Sequence, residues 1–301
     1  MRFTARVSQL GLIGVTASDE VRFRTITRTR LRGLAPEQQV PTLRELYRDN
    51  AGRLARAIDF CLRKNIHLYR IPSGLFPQSE ERPGYDLVEE LAPQLGMMGA
   101  RATEQGLRLV MHPELVVLNS DSKSAVTGSV ENLRQHARVL DLLGQPRTAW
   151  AAIQIHGGKS GRADQLVKAL QKLPEDVRSR LVLENDEEAY SAADVLNICR
   201  RAGIPMVFDV HHHICREGLA SYDDPTVDEL TRAARETWPD PSWQLVHISN
   251  GRDSFADPKH SDYIDAVPDA FREVEWIEVD ARQKEQAVAR LRTRLGRQWA
   301  N

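Results

Sequence analysis

Short apolar runs that end on a histidine or a carboxylate recur along this 301-residue chain, and they constrain its fold more than any other feature. Residues 107–111 lead into His112, residues 151–155 into His156, and residues 181–183 into Glu184, Asn185 and Asp186. Residues 206–208 run into Asp209 and then His211, His212 and His213, residues 245–246 into His247, and residues 276–279 into Asp280. With the runs at 6–13 and 67–71, these make eight strand-length segments. Between them lie amphipathic stretches expected to be helical, at 42–64, 87–104, 129–143, 162–173, 192–201, 226–236, 262–271 and 282–295. Gly106, Gly144 and Gly203 stand where helices should stop before the next strand. Regular alternation of this kind predicts an α/β chain folded as a single (β/α)8 TIM barrel over residues 1–301, with the C-terminal strand ends gathered in one mouth. An open doubly wound sheet is the alternative. It usually carries a glycine-rich phosphate loop after its first strand, and none is seen here.

Composition narrows the class. Apolar residues make up 41%, enough for a large core, and aromatics only 6%, so aliphatic side chains must fill it. The net charge of −1 gives no global attraction to nucleic acid and leaves room for local basic clusters. Cys61, Cys199 and Cys215 lack the spacing of a thiolate zinc site or a disulfide framework. The basic start, Met1 to Arg6, is followed by Gln9, Gly11 and Gly14, which argues against a signal peptide, and no apolar run reaches membrane-spanning length. A cytoplasmic monomer with no membrane or protein partner is expected.

Side chains alternate along a strand, so Gln154 shares a face with His156, Val182 with Glu184, and Leu245 with His247. Imidazoles and carboxylates gathered on a barrel axis are costly unless divalent ions bind them. A His/Asp/Glu set without cysteine suits manganese, zinc or iron better than a structural zinc site. Simpler readings exist: one histidine at a strand end is an ordinary polar residue, and Glu184, Asp209 and Asp280 stand where helix N-caps belong. His211, His212 and His213 cannot all converge, because neighbours point to different sides. The Gly157-Gly158-Lys159-Ser160 segment ends like a phosphate loop, but the Walker pattern needs glycine at position 153, which is isoleucine. There is no HExxH helix and no G-x-S-x-G elbow.

The ordered motifs resemble those of the UV damage endonucleases, particularly the deinococcal-type members. That family is related to endonuclease IV and to xylose-isomerase-like TIM barrels. The matching pieces are Leu68 to Ser73 with Leu75-Phe76-Pro77, Met111-His112-Pro113, His156-Gly157-Gly158, and Leu183 to Glu187. They continue with Asp209 to His213, Val246 to Ser249, His260 to Tyr263, and Lys284-Glu285-Gln286. The resemblance implies hydrolysis of a DNA phosphodiester 5′ to a UV photoproduct in double-stranded DNA. It implies two or three divalent ions, manganese first, with zinc, magnesium and cobalt as alternatives. The metal ligands it implies are His112, His156, Glu184, Asp209, His212, His247, His260 and Asp280, with Glu184 and Asp209 bridging. Its catalytic set is Glu184, Asp209, His112 and His156. Glu81 stands where the family often has a further histidine ligand, Leu245 where some members carry a modified lysine, and Leu12 where an early aromatic is found. Leu115 and Val116 replace a Gln-Tyr pair that probes the lesion, and can still act as an apolar wedge. Arg22, Arg24, Arg28 and Arg30, in a cluster that runs on to Arg32, are the first candidates for phosphate contacts, followed by Lys159 and Arg252. The rival enzymatic reading is a metal-dependent sugar isomerase or epimerase on the same barrel. A non-catalytic metal-sensing or DNA-architectural protein is the reading from another class.

Overall fold

The computed structural model describes residues 8–298. Eight parallel strands close into a barrel in chain order: β1 (Gln9–Ile13), β2 (Leu68–Ile71), β3 (Arg108–Met111), β4 (Ile153–His156), β5 (Leu181–Glu184), β6 (Met206–Asp209), β7 (Leu245–Ile248) and β8 (Trp276–Val279). Pairing of Leu10 with Ile277 joins the first strand to the last. Side chains pointing inward, among them Leu68, Val110, Val182, Val207, Leu245 and Trp276, fill the axis. Those pointing outward, such as Leu109, Ile155, Leu183, Phe208, Val246 and Ile277, pack in the larger layer beneath the surrounding helices. The expected barrel is therefore present, and alternation along four-residue strands places one layer of side chains inside and one outside.

The helices are α1 (Arg28–Arg32), α2 (Pro36–Arg63), α3 (Gly84–Glu89), α4 (Ala92–Glu104), α5 (Lys123–Leu142), α6 (Ala163–Gln171), α7 (Glu175–Arg178), α8 (Ala192–Ala202), α9 (Val210–Glu217), α10 (Pro225–Arg235) and α11 (Lys284–Gln298). Local chemistry sets many of their ends. Ser122 accepts from Ala125 N and starts α5 earlier than the apolar pattern indicated. Ser191 and Asp194 form a reciprocal capping box on α8, and Gly203, at φ 68°, closes it.

Several sequence expectations need correction. The first strand begins at Gln9, and residues 6 and 7 lie outside the described residues. The stretch 87–104 splits into α3 and α4, because Pro93 sits in the first turn of a new helix, where its missing N–H costs nothing. The helix expected at 262–271 is absent. Ser261 and Asp262 instead give their carbonyls to the backbone N–H groups of Arg282 and Gln283, and only a short 3-10 turn forms at Asp269–Glu273, after Pro268. The triple histidine, expected just past the end of the sixth strand, lies on helix α9.

The N-terminal face of the barrel is plugged by Arg108, which is fully buried. Its guanidinium donates to the carbonyls of Trp150 at 2.8 Å, Trp243 at 3.0 Å and Ala149 at 3.2 Å. It also lies against the rings of Trp150, Trp238 and Trp276. Burial pushes its pKa down to about 9. With one end stoppered, the polar side chains of the axis have only the C-terminal mouth to open into.

Candidate metal centre

One cavity at that mouth is lined by His112, His156, Glu184, Asp209, His212, His247, His260 and Asp280, so all eight residues expected as ligands meet in one place. Two donor triads stand out: His112, His156 and Glu184, and Glu184, Asp209 and His247, each with ligand atoms within 4.8 Å of one another. Glu184 belongs to both. Its Oε2 lies 3.1 Å from His112 Nε2, and its Oε1 lies 2.8 Å from His247 Nδ1. His156 stands beside His112, with ring centroids 5.1 Å apart, and its buried Nδ1 has no hydrogen-bond partner. A buried nitrogen without a partner, next to a carboxylate shared by two triads, fits a bound divalent ion.

Asp209 does two things. It caps α9 by accepting from His211 N at 2.7 Å and His212 N at 2.9 Å through Oδ1. Its other oxygen, Oδ2, is left facing His212 Nε2 at 3.6 Å and His247 Nδ1 at 3.8 Å. The helix cap expected from sequence and the candidate ligand are thus the same residue. Helix α9 separates the three histidines: His212 faces the cavity, His213 bonds Thr226, and His211 turns toward the loop after β7. At the rim His260 Nδ1 lies 3.4 Å from Asp280 Oδ1.

The electrostatics follow from burial among opposite charges. Burial alone would lower the pKa of His247, but Glu184 and Glu278 outweigh it and push it up to about 10. His212 is likewise pushed up to about 10, with Asp209 and Glu187 overcoming its burial. Glu187, hydrogen-bonded to His212, is held down to about 2. Burial lowers His112 despite Glu184, so it stays neutral. Burial opposes ionisation of Glu184 as well, yet the surrounding imidazoles hold it well below the usual carboxylate range.

Three residues of this site were missed in the sequence reading. Fully buried Glu278 receives Gln154 Nε2 at 3.2 Å, contacts His247 Nε2, and pairs with Arg70 at 3.1 Å. Arg70 also reaches Asp280 at 3.4 Å. The alternation that aligned Gln154 with His156 would have pointed Glu278 down the same axis. Glu187 is the third, bound to His212 from the loop after β5.

Other expected residues fall elsewhere. Glu81 does not line the cavity; it is an exposed ion-pair partner of Arg28 at 3.3 Å, because its loop turns outward to meet α1. Arg22, Arg24 and Arg28 are paired with Asp19, with Glu45 and Asp49, and with Glu80 and Glu81, so the basic cluster is largely neutralised by neighbouring acids. Exposed pairs of this kind are weak and exchange readily for phosphate. Arg30 and Lys159 are exposed, and Arg252 is paired loosely with Asp253 at 3.6 Å. Leu115 is 93% exposed and Val116 only 7%, so Val116 packs into the core and cannot share a wedge with its neighbour. Leu12 is fully buried and Leu245 lies inside the barrel, so neither presents a side chain to a ligand.

Comparison with known proteins identifies the family and the fold. The chain matches the family described as UV-endonuclease UvdE over residues 8–298. It is 50% identical over 288 residues to a UV DNA damage endonuclease of Nostoc sp., covering 95% of this chain and 89% of that protein. It is 46% identical over 290 residues to the UV DNA damage endonuclease of Deinococcus radiodurans, covering 95% of each. The crystal structure of SacUVDE superposes with a TM-score of 0.81 at 26% identity, covering 96% of this chain and 98% of that one. The barrel, its mouth of eight candidate ligand side chains and these matches over 95% of the chain lead to one conclusion: the chain belongs to the UV-endonuclease UvdE family.

Proposed function

We propose that this protein is a metal-dependent DNA endonuclease that hydrolyses the phosphodiester on the 5′ side of UV photoproducts and so opens their excision repair. The observation that carries the reading is the pair of donor triads sharing Glu184 at the barrel mouth, in a chain whose relatives at 50% and 46% identity are named UV DNA damage endonucleases. The donor set of imidazoles and carboxylates without cysteine supports two or three divalent ions, manganese first and zinc, magnesium or cobalt as alternatives. When bound, such ions polarise a phosphate oxygen and make hydroxide available from water at neutral pH.

The chain's own residues prepare the site. Glu184 offers one oxygen to the His112 side and the other to the His247 side, as a bridging ligand would. Asp209 is fixed by the first turn of α9, which leaves Oδ2 as its free donor. His212, His260 and Asp280 extend the set towards the rim. Leu115 holds an apolar side chain out in solvent at φ 58°, on the loop after β3 beside His112. That position suits a wedge against the weakened stack of a photoproduct, which unpairs at lower cost than an intact step. Lys159, Arg30 and Arg252, together with Arg22, Arg24 and Arg28 once exchanged from their acidic neighbours, supply phosphate contacts. A monomer acting in the cytoplasm suits an enzyme that straddles a duplex; no helix among the described residues is long and apolar enough to cross a membrane.

The test uses purified protein, Mn²⁺, and supercoiled plasmid with and without UV irradiation. EDTA-sensitive nicking confined to the irradiated plasmid is the expected result. Absence of nicking with every divalent ion would sink the nuclease reading and return the barrel to the sugar isomerase alternative.

A further inference from the structure

His260 alone among the candidate ligands comes from a long connecting loop rather than from a strand end or the helical turn that follows one. It lies on the long connection between β7 and β8, whose backbone must be ordered before the imidazole can reach the cavity. The connection opens as a built hairpin. Gly251 bridges His260 in antiparallel fashion, Arg252 N donates to Lys259 O at 2.8 Å, and Ser261 N donates to Asn250 O at 2.8 Å. Its tip is tied by the Asp257 carboxylate, which accepts from Asp253 N and Lys259 N at 3.0 Å each. Gly251 is required there, because a Cβ would meet Ser254 O at 2.0 Å.

One side chain from outside the loop grips this hairpin. His211 is 1% exposed, and its Nε2 lies 2.9 Å from the carbonyl of Asp257. A carbonyl only accepts, so Nε2 carries the proton, and Nδ1 lies 3.2 Å from the Tyr222 hydroxyl oxygen. Tyr222 reaches the loop's root, with its hydroxyl 2.8 Å from Ser249 O and receiving Asn250 Nδ2 at 2.9 Å, and its ring packs edge-on against Phe255. The backbone N–H of His211 meanwhile donates to Asp209 Oδ1. The same residue therefore touches a strand-end ligand through its backbone and the loop that carries His260 through its ring.

We propose that His211 is a positioning residue: it clamps the β7–β8 hairpin to the start of α9 and thereby sets His260 against the metal centre. The hairpin is long and surface-lying, so ordering it costs entropy that strand-end ligands do not incur. A clamp anchored next to Asp209 transfers the rigidity of the barrel to the loop. Partners of this kind behind a metal ligand typically change metal affinity by about 10–100-fold. The inference rests on the nuclease reading only in assigning His260 to the metal.

The test is amide hydrogen exchange on the metal-free full chain, followed by Mn²⁺ titration. In His211→Ala, the amides of Arg252, Asp253, Lys259 and Ser261 should exchange about tenfold faster, the strand amides should be unchanged, and Mn²⁺ affinity should fall at least about tenfold. His211→Gln, whose amide still donates to the Asp257 carbonyl, should restore both. Tyr222→Phe keeps the packing on Phe255, should speed the same amides by a smaller factor, and carries the test if the alanine variant does not fold. Unchanged exchange in the hairpin overturns the proposal. So does faster exchange spread evenly over the barrel, or a loosened hairpin with unaltered Mn²⁺ affinity. The exchange is read without DNA or catalysis, so its failure leaves the nuclease reading standing, and failure of plasmid nicking leaves the clamp standing.

Discussion

Metal binding to this centre should expel protons, and the structure says from where. In the metal-free chain His247 is pushed up to about 10 by Glu184 and Glu278, and His212 to about 10 by Asp209 and Glu187. Both imidazoles therefore carry a proton at pH 7, where a histidine in water is mostly neutral. A metal takes only the neutral ring, so each must release one proton on binding, whereas His112, held below its ordinary value, releases none. His260 is raised as well, by its contact with Asp280, so calorimetric titration with Mn²⁺ at pH 7, in buffers of different ionisation enthalpy, should give a slope of at least about two protons for the filled centre. Apparent affinity should climb about tenfold per pH unit between about pH 6 and 8 for each ion held by one of these histidines. The same shifts fix the stability of the metal-free fold. Raised pKa values mean a contribution that is complete below about 6.5, the unfolded value, and is lost as pH rises through about 10, so its Tm should fall on the alkaline side. A proton slope near zero at full Mn²⁺ occupancy would refute the reasoning, because either the imidazoles were already neutral or they are not ligands.

Other expectations are more direct. Glu184→Gln removes the carboxylate common to both triads, so Mn²⁺ affinity by titration and nicking of irradiated plasmid should each fall by at least about a hundredfold. Leu115→Gly should raise stability by about 1 kcal/mol in urea unfolding, since leucine at φ 58° is strained, and should weaken binding to irradiated DNA relative to untreated DNA. Equal loss on both DNAs would remove the wedge. Lys159→Ala should weaken binding to damaged and undamaged DNA alike and reduce the salt dependence by about one charge. Arg108→Ala leaves one buried and two half-buried carbonyls without their donor and should cost about 3 kcal/mol in urea unfolding, with Mn²⁺ affinity unaltered.

How much of this could be read from the residues differs by element. The strand ends were legible because a parallel strand in a barrel is a short aliphatic run, and an imidazole or carboxylate at its end breaks the run visibly, as His156 and Glu184 do. Glu278 was hidden because Trp276 and Asp280 drew the eye to the ends of β8, although alternation along four residues carries the information. Helix α9 was hidden because Asp209 closes β6 and caps a helix in the same residue, leaving no loop between the two periodicities. Glu81 and the arginine cluster failed for a different reason. Which acid neutralises which arginine depends on loops meeting across the surface, as Arg28 meets Glu80 and Glu81 some fifty positions away, and no local pattern encodes that. Arg108 and Arg180, both fully buried, belong with them: a cation reads as surface until the carbonyls that surround it are known.

The arginine plug has an optical consequence. All four tryptophans among the described residues, Trp150, Trp238, Trp243 and Trp276, gather around Arg108 at the closed end of the barrel, a full strand length (about 13 Å) from the mouth. With the fifth tryptophan, Trp299, outside the described residues, replaced by phenylalanine, intrinsic emission is a gauge of one end of the molecule. It should shift when the barrel opens in denaturant and stay still while ions fill the other end, so unfolding and metal loading can be followed in one cuvette as separate signals. A reporter for the mouth has to be introduced, and Leu115→Trp would place it where an exposed apolar side chain already stands.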